Sequence, residues 1–499
     1  MQKVFISLAL LAMTMVGCQQ TTQVNNPVLT IEGGDIQGVI TETPGVYAYK
    51  GIPYAAAPLG DLRWKAPQPV TPWEGTRIAD QYGHPSYQSV HYPGGYTTEW
   101  GYGAESPYSE DCLYLNVWTK APGDINKKLP VALWIHGGGF REGWGTEPEF
   151  EGQEWANKDV VLVTINYRLG VFGFLNHPEL MAENPDNVSG NYGILDQIES
   201  LKWIKKNIAQ FGGDPDNVTI FGQSAGAGSV RFICTSPLAS GLFHKAVIMS
   251  GGGLSTPTQS SRPYKMLSLE DVAKRNKEIL DWAGISSLQD MRRASTEVLH
   301  TVSDIYGRAT KQPFGGIFYS PVVDGKVIPE NFDDAAIHNT LANVPYMIGY
   351  TLDDLGQMGE GIANFCYNRD SIGSPAWAYQ FARPLPDDGS HPEVTARLKG
   401  AFHSSDLWFV FKTLKYCWRP WTKGDWDLSE KMLTYWTNFV KYSNPNGQDG
   451  TGAWTPCTKA SPDFMIFKLD EKDNEASSMG TPMVGEPQSF PGMPTPVKK

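Results

Sequence analysis

"NVTIFGQSAGAGSV", residues 217–230, decides how the chain is read. Val218–Phe221 is a short apolar run with β-branched residues, suited to a strand buried on both faces. It passes directly into a Gly-rich turn with one serine, Ser224, between Gly222 and Gly226. A sharp strand-to-helix turn needs small neighbours, and Gly222, Ala225 and Gly226 supply them. Ser224 is then expected at the carboxyl end of a strand, where open α/β sheets gather their ligands. There it faces the unpaired N–H groups of the following helix. The alternative is an ordinary serine in a glycine-rich loop, so the surrounding sequence must decide.

Outward from this stretch, strand-like runs alternate with helical patterns. The runs 129–136, 159–167, 217–222, 245–250, 344–350 and 463–469 are short and apolar. Between them, "LDQIESLKWIKKNI" puts Leu195, Ile198, Leu201, Ile204 and Ile208 on one helical face. "SLEDVAKRNKEILDWAG" starts with a capping pattern at Ser268 and Asp271 and stops at Gly284. Such alternation implies a large, mainly parallel sheet with helices on both faces. No composition shift marks a linker, so a single α/β domain with helical insertions is expected over residues 28–485.

The ends differ. "MQKVFISLALLAMTMVGC" has Lys3, an apolar stretch and Gly17-Cys18, the pattern of a secretory signal too short to span a bilayer. Its "MVGC" ending resembles a bacterial lipobox, giving a signal peptide over 1–17 and a lipidation site at Cys18. A plain signal peptide ending near a cysteine is the alternative. Residues 18–27 read as a polar tether and 486–499 as a frayed, Pro-rich tail. Gln19 after the cysteine points to the outer membrane of a Gram-negative cell, with a lipid anchor in place of a spanning helix. The net charge of −12 is dispersed, and no Lys/Arg run is present to neutralise phosphates, which argues against nucleic acid as a partner.

A serine hydroxyl needs a base, an acid to orient the base, and donors for the oxyanion. "WIHGGGF", residues 134–140, follows a strand and offers N–H groups at Gly138 and Gly139, with Ala225 N–H as a third donor. At this point "FGGDPDNVTIFGQSAG" (211–226) resembles the serine signature of the type-B carboxylesterase family, which includes cholinesterases and bacterial p-nitrobenzyl esterases. "SEDCLYLNVW" (109–118) is similar to that family's second signature, and 51–67, 236–252 and 439–447 also look like family segments. The resemblance implies an α/β-hydrolase fold and a Ser-Asp-His triad. It puts the acid at Asp354 in "GYTLDDLGQ", where family members commonly carry Glu, and the base at His403 in "GAFHSSDLWFVF". From the residues alone, Asp353-Asp354 reads first as a solvated turn. Gln223 stands where cholinesterases have Glu, and Ser250 resembles a supporting serine. Arg63 and Glu110 resemble a scaffold ion pair, and Cys112 a buried cysteine without its bridge partner. Trp100 and Tyr102 fall in a region that lines the cholinesterase gorge, or are core. The implied activity is hydrolysis of small-molecule carboxylic esters without metal or organic cofactor. The same machinery serves amides and the acetyl or feruloyl esters of polysaccharides. Family members without a triad are adhesion proteins, but here every triad position is filled.

Overall fold

The computed structural model describes residues 26–102, 107–255, 268–310, 320–450 and 452–488. The expected signal peptide and Cys18 lie outside them. No helix among the described residues is long and apolar enough to cross a membrane.

Seven parallel strands form the centre: β1 Leu129–Ile135, β2 Val161–Ile165, β3 Gly213–Gln223, β4 Lys245–Met249, β5 Tyr346–Thr351, β6 Trp377–Phe381 and β7 Phe464–Phe467. Their spatial order is β2-β1-β3-β4-β5-β6-β7. Antiparallel strands Tyr114–Thr119, Tyr47–Pro53 and Val39–Ile40 extend the β2 edge, and Ser478–Gly480 caps β7. Each apolar run of the sequence thus becomes a strand; most are trimmed at their ends, whereas 217–222 grows to Gly213–Gln223 and 344–350 shifts to Tyr346–Thr351.

Alternation of side chains along each strand builds two cores. Val131, Leu133 and Ile135 of β1 join Val218 and Ile220 of β3 on one face. Against them pack α1 (Tyr192–Asn207) and α2 (Ala225–Thr235) through Ile198, Leu201, Ile204, Val230 and Ile233. Ala132 and Trp134 point to the opposite face, with Phe221, Met249 and Phe381. There Trp134 contacts Phe150, Phe221 and Phe411 with ring centroids 4.8–5.0 Å apart. Such ring pairs contribute about 0.5–1.5 kcal/mol each beyond their buried area. The expected helical insertion is α3 (Leu269–Trp282) with α4 (Thr296–Thr310), seated on a satellite core of Trp64, Phe172, Leu280 and Leu299. Ser268 caps α3 by accepting the Asp271 N–H. Arg63 and Glu110 form a buried bidentate pair at 2.6 and 2.7 Å, and Arg63 also donates to the carbonyls of Met291 and Ala294 near this insertion.

The frayed tail expected from residue 486 does not begin there. Glu486 N–H donates to Asp353 Oδ1 at 3.0 Å, and Gln488 N–H donates to the Asp354 carbonyl at 2.8 Å. A Pro-rich segment looks solvated in sequence, but here its backbone N–H groups dock on the Asp353-Asp354 loop, and the Gln488 side chain meets the His403 N–H and the Arg397 carbonyl. Residues 489–499 lie outside the described range.

Candidate active site

β3 ends at Gln223 and α2 begins at Ala225, leaving Ser224 alone in the corner. Its backbone sits at φ 57°, ψ −122°, a region L-residues rarely occupy and one that costs on the order of 1–3 kcal/mol. Close packing enforces the corner. A Cβ on Gly226 would lie 2.0 Å from the Ile135 carbonyl oxygen, so α2 rests directly on the end of β1. Ser224 N–H donates to Met249 O, and Ser224 O accepts from Gly228 N–H, both at 2.9 Å. The side chain is the partly exposed point in an otherwise buried stretch.

The "HGGG" turn lies against this corner, since a Cβ on Gly137 would come within 3.1 Å of Ser224 Cβ. Gly138 has φ 91° and Gly139 φ 63°, and a Cβ on Gly138 would collide with the Glu142 carbonyl oxygen at 1.9 Å. The Gly138 carbonyl accepts the N–H groups of Arg141 and Glu142, which closes the turn. Among the described residues no hydrogen bond takes the N–H of Gly138, Gly139 or Ala225. His136 is a support. Burial drops its imidazole to about 3, and Tyr167 donates to its carbonyl at 2.9 Å.

The expected acid and base, Asp354 and His403, stand on two loops, one after β5 and one after β6. His403 Nδ1 donates to Asp354 Oδ1 at 2.6 Å, and both side chains are buried. Asp354 also accepts the N–H of Leu355 at 2.7 Å, and the N–H and hydroxyl of Thr351 at 3.1 Å each. Burial pushes its carboxyl up, but the His403 ring, with the Ser250 hydroxyl and Leu355 N–H, brings it below its ordinary value. The carboxylate therefore stays ionised beside the imidazole. Asp353 is not a solvated turn residue. Its Oδ2 accepts Ala401 N–H at 2.9 Å and its N–H donates to Ala401 O at 3.0 Å, clamping the His403 loop to the Asp354 loop. Gln488 adds a second clamp, its Oε1 accepting His403 N–H at 3.2 Å.

With Nδ1–H facing Asp354, His403 Nε2 is an acceptor. It takes its hydrogen bond from Gln223 Nε2 at 3.2 Å, not from Ser224. Ser224, His403, Gly138 and Gly139 open on one cavity of about 600 Å³. Asp354 stands behind His403, and Ala225 follows the serine. Every residue that the sequence nominated for triad and oxyanion turn is thus gathered at the carboxyl end of β3 and β5. Trp100 is both buried core, 5.2 Å from Trp408 by ring centroid, and cavity wall. Cys112 is buried and unbridged.

Other residues at the site gave no signal in the sequence. Glu147 and Glu149 are buried in the cavity wall with Tyr102. His91 and Glu142 meet at the rim, 3.1 Å apart. The acid-rich run 147–154 was visible, but acidic residues are exposed by default and only the folded chain places two of them inside.

Similarity to known proteins agrees with this geometry. The sequence model described as the carboxylesterase family matches residues 25–364 and 357–482. Over 392 residues the chain is 35% identical to the fumonisin B1 esterase of Sphingopyxis macrogoltabida, covering 76% of this chain and 67% of that protein. It is 37% identical over 330 residues to the para-nitrobenzyl esterase of Bacillus subtilis, covering 66% of this chain and 63% of that one. A solved carboxylesterase of Geobacillus stearothermophilus superposes with a TM-score of 0.71 at 30% identity, over 91% of this chain and 97% of that chain. A large, mostly parallel sheet, a strand-to-helix serine corner and these likenesses agree, and the chain belongs to the carboxylesterase family, as a type-B carboxylic ester hydrolase with the α/β-hydrolase fold.

Proposed function

We propose that the protein cleaves carboxylic esters through an acyl-enzyme intermediate on Ser224. The observation that carries this reading is the buried 2.6 Å contact of Asp354 and His403, whose ring opens on the same cavity as Ser224. His403 Nε2 takes the Ser224 proton as the oxygen attacks the ester carbonyl. The Gln223 amide yields this acceptor as the hydroxyl turns towards the ring. The N–H groups of Gly138, Gly139 and Ala225 receive the oxyanion of the tetrahedral intermediate, each donor contributing about 3 kcal/mol at the transition state. Imidazolium then protonates the leaving alcohol, and the same ring activates the water that releases the acid. Asp354 holds the Nδ1–H tautomer and stabilises the imidazolium, and its lowered carboxyl pKa suits that role.

The test is a p-nitrophenyl butyrate assay with the purified protein, followed by fluorophosphonate labelling and peptide mass spectrometry. Hydrolysis with a single adduct on Ser224 is expected. An adduct elsewhere, or full activity in Ser224→Ala, sinks the assignment. The N-terminal sequence further supports an exported lipoprotein held at a Gram-negative outer membrane by acyl chains on Cys18. Labelled palmitate entering the wild type but not Cys18→Ser is the expected result.

A further inference from the structure

The cavity wall holds two glutamates that the proposed ester hydrolysis does not use. Glu147 is fully engaged: Oε1 accepts Trp144 N–H at 2.8 Å and Oε2 accepts the Tyr102 hydroxyl. Glu149 is different. It is 0% exposed, it abuts the cavity, and neither Oε1 nor Oε2 accepts a hydrogen bond. Burial, reinforced by the Glu147 carboxylate beside it and by a hydrogen bond that a protonated Glu149 gives to that carboxylate, pushes its carboxyl well above the ordinary range. The Glu99 carboxylate, which bears on Glu149, already holds its own cation. Arg419 is committed to Glu99 through three contacts of 2.8–3.1 Å and to the Pro386 carbonyl. Neither Glu147 nor Glu149 has a Lys or Arg ion-pair partner among the described residues.

A buried carboxyl with both acceptors unfilled is costly, and a charged neighbour makes it more so. Three arrangements relieve the cost. One is a proton shared by the pair, which leaves a single negative charge and still leaves acceptor positions empty. Water is the second. The third is a ligand that brings positive charge and several N–H donors together. The walls favour the last, since Trp100, Tyr102 and Phe150 line the same region and aromatic faces attract cations. Glu142 at the rim carries a further acid on the way in.

We infer that Glu147 and Glu149 form a subsite for a primary ammonium group, so that the esters this enzyme prefers carry an N–H-bearing cation. The empty acceptors of Glu149 require donors. A quaternary ammonium has charge but no N–H, so it meets the aromatic walls and leaves Glu149 unsatisfied. A neutral alkyl group offers neither charge nor donor. This inference rests on the ester-hydrolase reading for its biological meaning, but the subsite itself is tested without turnover.

Isothermal titration calorimetry of Ser224→Ala with n-butylammonium, n-butyltrimethylammonium and 1-pentanol separates the two questions. The primary ammonium is expected to bind at least about tenfold more tightly than either of the others, since one charge-assisted contact of 1.5–3 kcal/mol corresponds to about ten- to hundredfold. Adding Glu149→Gln to Ser224→Ala removes the preference. Equal or tighter binding of the trimethyl compound, no preference over 1-pentanol, or a preference that survives Glu149→Gln each overturns the inference. Because the ranking of the three ligands on Ser224→Ala alone is already decisive, a poorly folding double variant does not protect the idea. Failure of p-nitrophenyl butyrate hydrolysis would instead sink the esterase reading and leave the calorimetric result standing.

Discussion

The two halves of the candidate active site are held by different physics. On the serine side, backbone packs on backbone: Gly226 against Ile135 O, and Gly138 against Glu142 O, at separations that admit no side chain. On the histidine side, two loops and a tail segment are tied by side chains: Asp353 to Ala401 and Glu486, and Gln488 to His403. Steric locks are all-or-none, whereas hydrogen-bonded clamps loosen by degrees. The serine half therefore sets whether the site exists, and the histidine half sets how well it is aligned.

The sharpest way to break this contrast is to remove chemistry without moving either half. Ser224→Ala should lower kcat for p-nitrophenyl butyrate by a factor of about 10⁶, with the far-ultraviolet spectrum unchanged. Asp354→Asn keeps the shape but presents the wrong imidazole tautomer, and kcat should drop about 10⁴-fold. A lock comes next. Gly138→Ala places a Cβ on the Glu142 carbonyl and displaces an oxyanion donor, for a loss of about 10²–10³ in kcat. The clamp variant Asp353→Asn forfeits one charged acceptor between the loops. It should lower kcat about 10- to 100-fold with KM less affected, since it misplaces His403 without touching substrate. If Asp353→Asn equals Gly138→Ala in severity, the proposed division fails.

The smallest effect concerns Asp406, whose carboxylate accepts the Tyr379 hydroxyl at 3.0 Å behind the His403 loop. Burial, offset in part by the Tyr379 hydroxyl and reinforced by Asp354, pushes its carboxyl up to about 7. The folded protein thus keeps a proton that the unfolded chain releases near pH 4. Asp406 contributes stability that is full below that point and is lost as pH rises to about 7. The Tm of Asp406→Asn relative to wild type should therefore rise by about 2–4 °C between pH 5 and pH 8. A constant difference across that range would refute it.

Legibility in the sequence follows the same division. Strand runs and the serine corner are written locally, because Gly spacing and apolar runs record contacts that any fold with that corner must make. Asp354 and His403 were located by resemblance, not by their own neighbourhood, and Asp353 read as well as a solvated turn. Its partners, Ala401 and Glu486, lie 48 and 133 residues away. Glu149 was invisible for a related reason: an acid in a Glu-rich run carries no mark that the chain will close over it. The tail misled because composition reports the average behaviour of Pro-rich segments, not the backbone N–H groups and the one side chain, Gln488, that a folded surface captures.

Gln488 also bears on proteolysis. The histidine loop is fastened by a residue 85 positions further along the chain, carried on the segment that follows Ser478–Gly480. A cut between that strand and Gln488 leaves the serine corner intact and unties the His403 loop, so nicking there costs turnover before it costs the fold.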